Sequence, residues 1–374
     1  MLFKEITGQT EIKNRLIKSV KDQRVSHAQL FLGPEGSGKL PLAIAYAQFI
    51  NCKEKKFYEN SEDGLTGDSC GVCPSCQKFN HLAHPDLHFI YPVATTKEVK
   101  DKPISSNFIK YWRELLVNRN YYINLNDWYE AIGIEKKQGI INVADCSEIL
   151  KKLSYKSYES EYKVMIIWMV EKLYYSAAPK ILKILEEPPD KTLFILISEN
   201  QDQIINTILS RTQLVKIPKI KDKDIRQALI NIAGLDKTKL DDAIRLANGN
   251  MREAVLHMKG EVEDDDLLHL FATWMRSSFT MKMEKIIPVV NDISKKNREQ
   301  QKMLLTYSLD IIRKAMLVKG ASEFFGVRAR CSWQPMQLVV SPGWTVRKLC
   351  MRFTERSFSS RATRKKLRKP GSSR

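Results

Sequence analysis

Residues 33–40 read Gly33-Pro34-Glu35-Gly36-Ser37-Gly38-Lys39-Leu40 and stand between two segments of different period. Before them, His27-Ala28-Gln29-Leu30-Phe31-Leu32 is a short apolar run of strand length; after them, Leu42, Ala45, Tyr46 and Phe49 recur at helical spacing. A strand that turns through closely spaced glycines into a helix aims successive backbone N–H groups at one point, which is how a phosphate loop wraps an anion. Such a loop also needs a lysine for the outer phosphates and a Ser or Thr hydroxyl for Mg²⁺. Gly33, Gly36, Gly38 and Lys39 fit; Leu40 stands where the hydroxyl belongs. Pro41 falls in the first helical turn, where a missing N–H costs little. The expected fold is an α/β P-loop domain with a parallel sheet. A glycine-rich turn that binds nothing is the competing reading.

The acids that handle metal in such a site belong at the end of a second apolar strand. Here Lys163-Val164-Met165-Ile166-Ile167 runs into Trp168-Met169, and the first acid is Glu171. An indole and a thioether do not suit Mg²⁺, a hard cation that takes oxygen ligands. Leu40, Trp168 and Met169 thus leave the metal-handling positions apolar, and phosphoryl transfer depends on that charge neutralisation. Weak or no ATP binding, without hydrolysis, is the expectation. Recruiting Glu171 instead would require extra strand.

Cys70-Gly71-Val72-Cys73-Pro74-Ser75-Cys76 sets three thiols at C-x₂-C-x₂-C spacing, and Cys52 precedes them at the end of the P-loop helix. No apolar leader follows Met1, so the chain is expected to be cytoplasmic, where such thiols favour tetrahedral Zn²⁺ over disulfides. An iron–sulfur cluster is the chemical alternative. Four thiolates from Cys52, Cys70, Cys73 and Cys76 leave no open coordination position, which makes the ion structural. His81, His84 and His88 follow closely but read as loop and strand entry, and Cys146, Cys331 and Cys350 as free thiols.

Gly8-Gln9, residues 33–39, Leu185-Glu186-Glu187-Pro188-Pro189 and Leu209-Ser210-Arg211 occur in this order. In order and spacing they resemble the clamp-loader subunits of bacterial DNA polymerase III, an AAA+ family, well over residues 1–258 and loosely beyond. The resemblance implies an AAA+ nucleotide-binding-like domain over residues 1–220 with a zinc module at about 52–80. It implies a helical lid over 221–260 and a helical oligomerisation collar, incomplete, over 261–325. It makes Arg211 an arginine finger that crosses a subunit interface into the ATP site of an adjacent tau/gamma subunit; Thr212 stands where the family often has Cys. Arg252, within Asn248-Gly249-Asn250-Met251-Arg252-Glu253-Ala254, resembles a sensor-2 arginine facing any nucleotide held at Lys39. The implied partners are tau/gamma and delta subunits in a hetero-oligomeric ring that opens the sliding clamp and loads it on primed DNA. Family members normally have a shorter spacing between the first two cysteines. The plain alternatives are arginines on solvated helix surfaces. A self-sufficient tau/gamma-like ATPase is the rival function, against which Leu40, Trp168 and Met169 speak; a zinc-finger transcription factor would need a base-reading helix after the cysteines.

Residues 93–139 form an aromatic and charged stretch that typical members of that family lack at this length. Tyr111-Trp112, Tyr121-Tyr122 and Trp128-Tyr129 read either as a locally packed helical insertion or as an interaction surface. Of the formal charge of +18, residues 326–374 carry +12, from 13 Lys and Arg against Glu355 alone. That tail is either a nucleic-acid arm or, because helical periodicity ends near Leu317, a disordered or frame-shifted stretch. Apolar runs such as residues 164–170 are strand-sized, so no membrane association is expected.

Overall fold

Strand β1 (Ala28–Leu32) carries the apolar run before the phosphate loop, and helix α1 (Thr10–Lys21) precedes it. The computed structural model describes residues 1–60, 64–134, 137–233, 240, 241, 243, 244, 247–259, 265–280, 283–296, 301, 304, 305, 307–309, 311 and 312. The basic tail, with Cys331 and Cys350, lies outside the described residues.

Helix α2 (Lys39–Asn51) follows the loop, and all of its residues are buried. A helix that is apolar nearly all round needs a buried setting, and here the sheet and its neighbours supply it. Next comes an antiparallel hairpin, β2 (Lys56–Asn60) and β3 (Gly64–Asp68), then α3 (Pro74–Asn80) with Pro74 at its first position. Strand β4 (Leu87–Ile90) leads to α4 (Ile109–Asn118) and α5 (Leu125–Ala131), both within the inserted stretch, and then α6 (Val143–Ser154). Strand β5 (Lys163–Trp168), α7 (Ala178–Glu186), β6 (Thr192–Ser198), α8 (Asn206–Leu209) and β7 (Gln213–Lys216) complete the α/β part. Glu187-Pro188-Pro189 stops α7, since Pro disfavours helix at the residue before it.

The main sheet has the order β4-β5-β6-β1-β7, with every pair parallel. This is the expected α/β P-loop architecture. Parallel sheets are covered on both faces, which explains why β5 and β6 are buried along their whole length.

Of the inserted aromatics, Trp112, Trp128 and Tyr129 are buried, while Tyr111, Tyr121 and Tyr122 are half-buried. Trp112 and Trp128 are fully buried. Tyr91 stacks on Trp112 at 4.3 Å, Trp128 meets Trp112 edge-on at 5.1 Å, and Trp168 at the end of β5 lies 5.2 Å from Trp112. Asn124 caps α5 by accepting from the Asp127 N–H at 2.8 Å, while Asp127 accepts from the Asn124 N–H at 3.0 Å.

After Pro218 come α9 (Asp222–Ala233) and α10 (Met251–Lys259), which share an apolar core of Ile220, Ile225, Leu229, Ile244, Met251 and Ala254. Helices α11 (Asp265–Thr280) and α12 (Met283–Lys295) follow; Met283, Ile287 and Val290 leave an apolar stripe exposed on α12. Among the described residues, no helix is long and apolar enough to cross a membrane.

Candidate functional site

Gly36 and Gly38 both have positive φ, and a Cβ on Gly36 would lie 1.8 Å from Asn250 Oδ1, so the loop is drawn tight under the lid. Lys39 does not extend from it. Its Nζ donates to Gly33 O and Pro34 O, both at 2.6 Å, with Glu199 Oε1 at 3.5 Å. Burial lowers the Lys39 pKa, and Glu199, Glu171 and Glu35 oppose that pull. Leu40, Trp168 and Met169 are each buried among apolar neighbours, so no oxygen ligand stands at the metal-handling positions. Glu171 follows two residues after Met169; burial raises its pKa, and Oε1 accepts the Glu199 N–H at 3.0 Å. The glycine loop and Lys39 thus keep the form of an anion cradle, while Leu40, Trp168 and Met169 offer no ligand for Mg²⁺.

Arg252 faces this loop from α10, but it is already engaged. Its Nε and Nη2 donate to the two oxygens of Asp127, each at 2.7 Å, and Nη1 donates to Glu253 at 2.8 Å. Glu35, within the loop, takes hydrogen bonds from Asn124 at 3.3 Å and Asn250 at 3.5 Å. Burial, then the charge of Glu199, push Glu35 up to about 7, with Arg252 pulling the other way. A cavity of about 600 Å³ opens beside these groups, lined by Ile6, Gly8, Tyr121, Tyr122, Met251 and Arg252 among others.

The four cysteines converge. Cys52 ends α2, Cys70 follows the hairpin, and Cys73 and Cys76 flank the start of α3. Their Sγ atoms all lie within 4.8 Å of one another, with Cys52 to Cys70 at 3.6 Å and Cys70 to Cys76 at 3.9 Å. A tetrahedral ion with bonds of about 2.3 Å to sulfur sets its thiolates roughly 3.8 Å apart, so one metal ion fits this nest. The Cys70 N–H points to Cys52 Sγ and the Cys73 N–H to Cys70 Sγ, both at 3.3 Å, a polarity that suits thiolates. Among the described residues no histidine joins the group: His84 is buried against Phe79, and His88 lies within β4.

Arg211 stands just past α8. Strand β7 runs beside β1 with Gln213 opposite Gln29 and Lys216 opposite Leu32. Arg211 therefore sits at the edge where these strands begin, while the phosphate loop follows the edge where they end, at least about 10 Å away along the strands. The guanidinium is a third exposed; Nε donates to Glu186 Oε1 at 2.7 Å and Nη1 to Thr207 O at 2.9 Å. The chain thus brings Gly33, Gly36, Gly38, Lys39 and Arg252 around one site, gathers the four cysteines at another, and leaves Arg211 apart from both. Asp127 and Glu199, and the pairing of Glu186 with Arg211, are not expected from the sequence; the Asn124-to-Asp127 capping spacing is the one local signal among them.

The family described as DNA polymerase III, delta subunit, matches residues 8–221. DNA polymerase III subunit delta' of Bacillus subtilis is 26% identical over 222 residues, 59% of this chain and 51% of that protein. DNA polymerase III subunit tau of Escherichia coli is 23% identical over 348 residues, 87% of this chain and 45% of that protein. The chain spans about half the length, or less, of the curated relatives named here. Among solved structures, a DNA polymerase III gamma subunit-related protein from Thermotoga maritima is 16% identical with a TM-score of 0.37, covering 80% of this chain and 77% of that one.

Proposed function

The chain belongs to the DNA polymerase III delta-subunit family, and we propose that it is the delta-prime subunit of a clamp loader, a member that serves a neighbour's ATP and not its own. It joins tau/gamma and delta subunits in a hetero-oligomer that opens the sliding clamp and loads it on primed DNA during replication. The observation that carries this reading is the separation of Arg211 from the loop of its own chain, at opposite edges of one sheet. From there the guanidinium does not serve this chain's own loop; in a neighbouring subunit's site its fixed and permanently charged fork would stabilise charge developing on a transferring phosphoryl group. The apolar Leu40, Trp168 and Met169 support the other half of the claim, that this chain does not hydrolyse ATP. Cys52, Cys70, Cys73 and Cys76 would hold Zn²⁺, which with four thiolates organises the local fold and takes no part in chemistry.

A tau/gamma-like ATPase is the second reading, favoured by the retained Lys39 and by the longer match to tau. Lys39→Ala in this chain, assembled with wild-type tau/gamma and delta subunits, separates the two. Unchanged ATP turnover by the complex is expected; a substantial loss would make this chain one of the motors.

A further inference from the structure

The inserted stretch reaches into the phosphate loop. The ring of Tyr122 lies 3.6 Å from where a Cβ on Gly38 would stand, and its hydroxyl accepts the Thr7 N–H at 3.4 Å. Two residues on, Asn124 donates to Glu35 of the loop itself at 3.3 Å. Asp127, in the first turn of α5, holds Arg252 through both oxygens, and the pair is almost wholly buried. From the lid, Asn250 covers Gly36 and the Met251 N–H donates to Gly36 O at 3.1 Å.

A phosphate loop receives an anion with a helix N-terminus and a lysine; here an arginine faces them as well. The two cations are both engaged by groups of this chain, Lys39 by the loop carbonyls and Glu199, Arg252 by Asp127 and Glu253. A two-point contact from guanidinium to carboxylate has the geometry of one to phosphate. We propose that residues 122–127 are a built-in ligand of the nucleotide site, with the Asp127 carboxylate where a phosphate would meet Arg252, so that the lid is joined to the phosphate-loop domain without nucleotide.

Two further features fit. Trp112 of the insertion packs on Trp168, the residue that stands in place of a metal-binding acid, and Trp128 packs on Trp112. The same inserted unit therefore meets both Trp168 and Arg252. Glu35 is raised to about 7, chiefly by burial and next by Glu199, so near neutral pH it is partly protonated and the acids crowded here repel one another less. None of this depends on Arg211 serving a partner, and the built-in ligand would stand if that reading failed.

Asp127→Asn is the variant to make, because it keeps the oxygen that caps α5 and removes the charge opposite Arg252. The full chain is titrated with the fluorescent nucleotide mant-ATP in EDTA, since the metal-handling positions are apolar. The wild-type chain should show no saturable binding at millimolar probe. Asp127→Asn should bind at least about tenfold more tightly than the wild-type limit, lose the probe to unlabelled ATP, and lose binding when Lys39→Ala is added. If Asp127→Asn does not fold, Asp127→Glu, which displaces the carboxylate and breaks the two-point contact, is titrated in the same way. A folded variant that ignores the probe overturns the proposal, and so does a wild-type chain that binds it as tightly as the variant.

Discussion

The two edges of the central sheet are finished in opposite ways. Where the strands end, Arg252 and Asp127 form a buried two-point pair beneath the lid, and Lys39 is turned back onto its own loop. Where they begin, Arg211 is a third exposed and paired with Glu186, which is about half exposed. Both edges carry an arginine on a carboxylate, yet the energetics differ. An exposed pair contributes about 0–1 kcal/mol, whereas removing one partner of a buried pair costs about 3–5 kcal/mol. The buried arginine, Arg252, is part of the fold; the exposed one, Arg211, can leave its carboxylate for another anion at little cost.

The cysteine nest lies on the same side as Arg211, because α2 starts at the phosphate loop and returns across the sheet. Asn51, at its end, exchanges hydrogen bonds with Tyr162 just before β5 at 2.9 and 3.0 Å. Its loss is expected to be the largest single effect, since structural Zn²⁺ contributes on the order of 10 kcal/mol in free-standing zinc modules, and an embedded one shows part of that. Metal analysis should find one Zn²⁺ per chain, lost in Cys73→Ser. Amide exchange should then rise across residues 52–80 while the first turns of α2 stay protected. Exchange that rises equally at the loop end would dissolve the distinction between the two edges.

Arg252→Ala comes next, at about 3–5 kcal/mol by urea denaturation, because it strands the buried Asp127 charge. Adding Asp127→Ala should recover much of the loss; additive losses would mean that the pair is not coupled.

A smaller effect, on the order of 1–3 kcal/mol, is expected from Glu35→Gln at pH 8. The folded chain holds the Glu35 proton up to about 7, whereas the unfolded chain releases it near 4.5, so stability falls as pH rises through that interval. The groups that face Glu35 are Glu199, Glu253, Arg252, Asn124, Asn250 and Lys39. Glu35→Gln should therefore melt higher than wild type at pH 8 and close to it at pH 4.5. A constant difference across that range would assign the effect to something other than the proton.

Legibility from sequence followed distance along the chain. The strand, loop and helix around residues 28–51 could be read because their signals are local in period and spacing. The C-x₂-C-x₂-C run is likewise visible, and Cys52 joins it from its place at the end of the phosphate-loop helix. Asp127 and Arg252 are 125 positions apart, and Arg211 and Glu186 are 25 apart, so no spacing rule could pair them. The inserted stretch showed its aromatics but not their direction, because burial of Trp112 and Trp128 depends on Tyr91 and Trp168 meeting them from separate strand ends.

Arg211→Ala is the smallest change for the fold and the largest for the proposed function. Its stability cost should stay below about 1 kcal/mol, since only a surface pair with Glu186 is lost. The direct measurement is ATP turnover by the reconstituted loader, stimulated by clamp and primed DNA, with the mutant chain verified in the complex. Turnover should fall by about a hundredfold or more, as for loss of an arginine finger, and Arg211→Lys should restore it only in part because an ammonium lacks the planar fork. Full turnover with Arg211→Ala in place would contradict the account and leave this chain a scaffold.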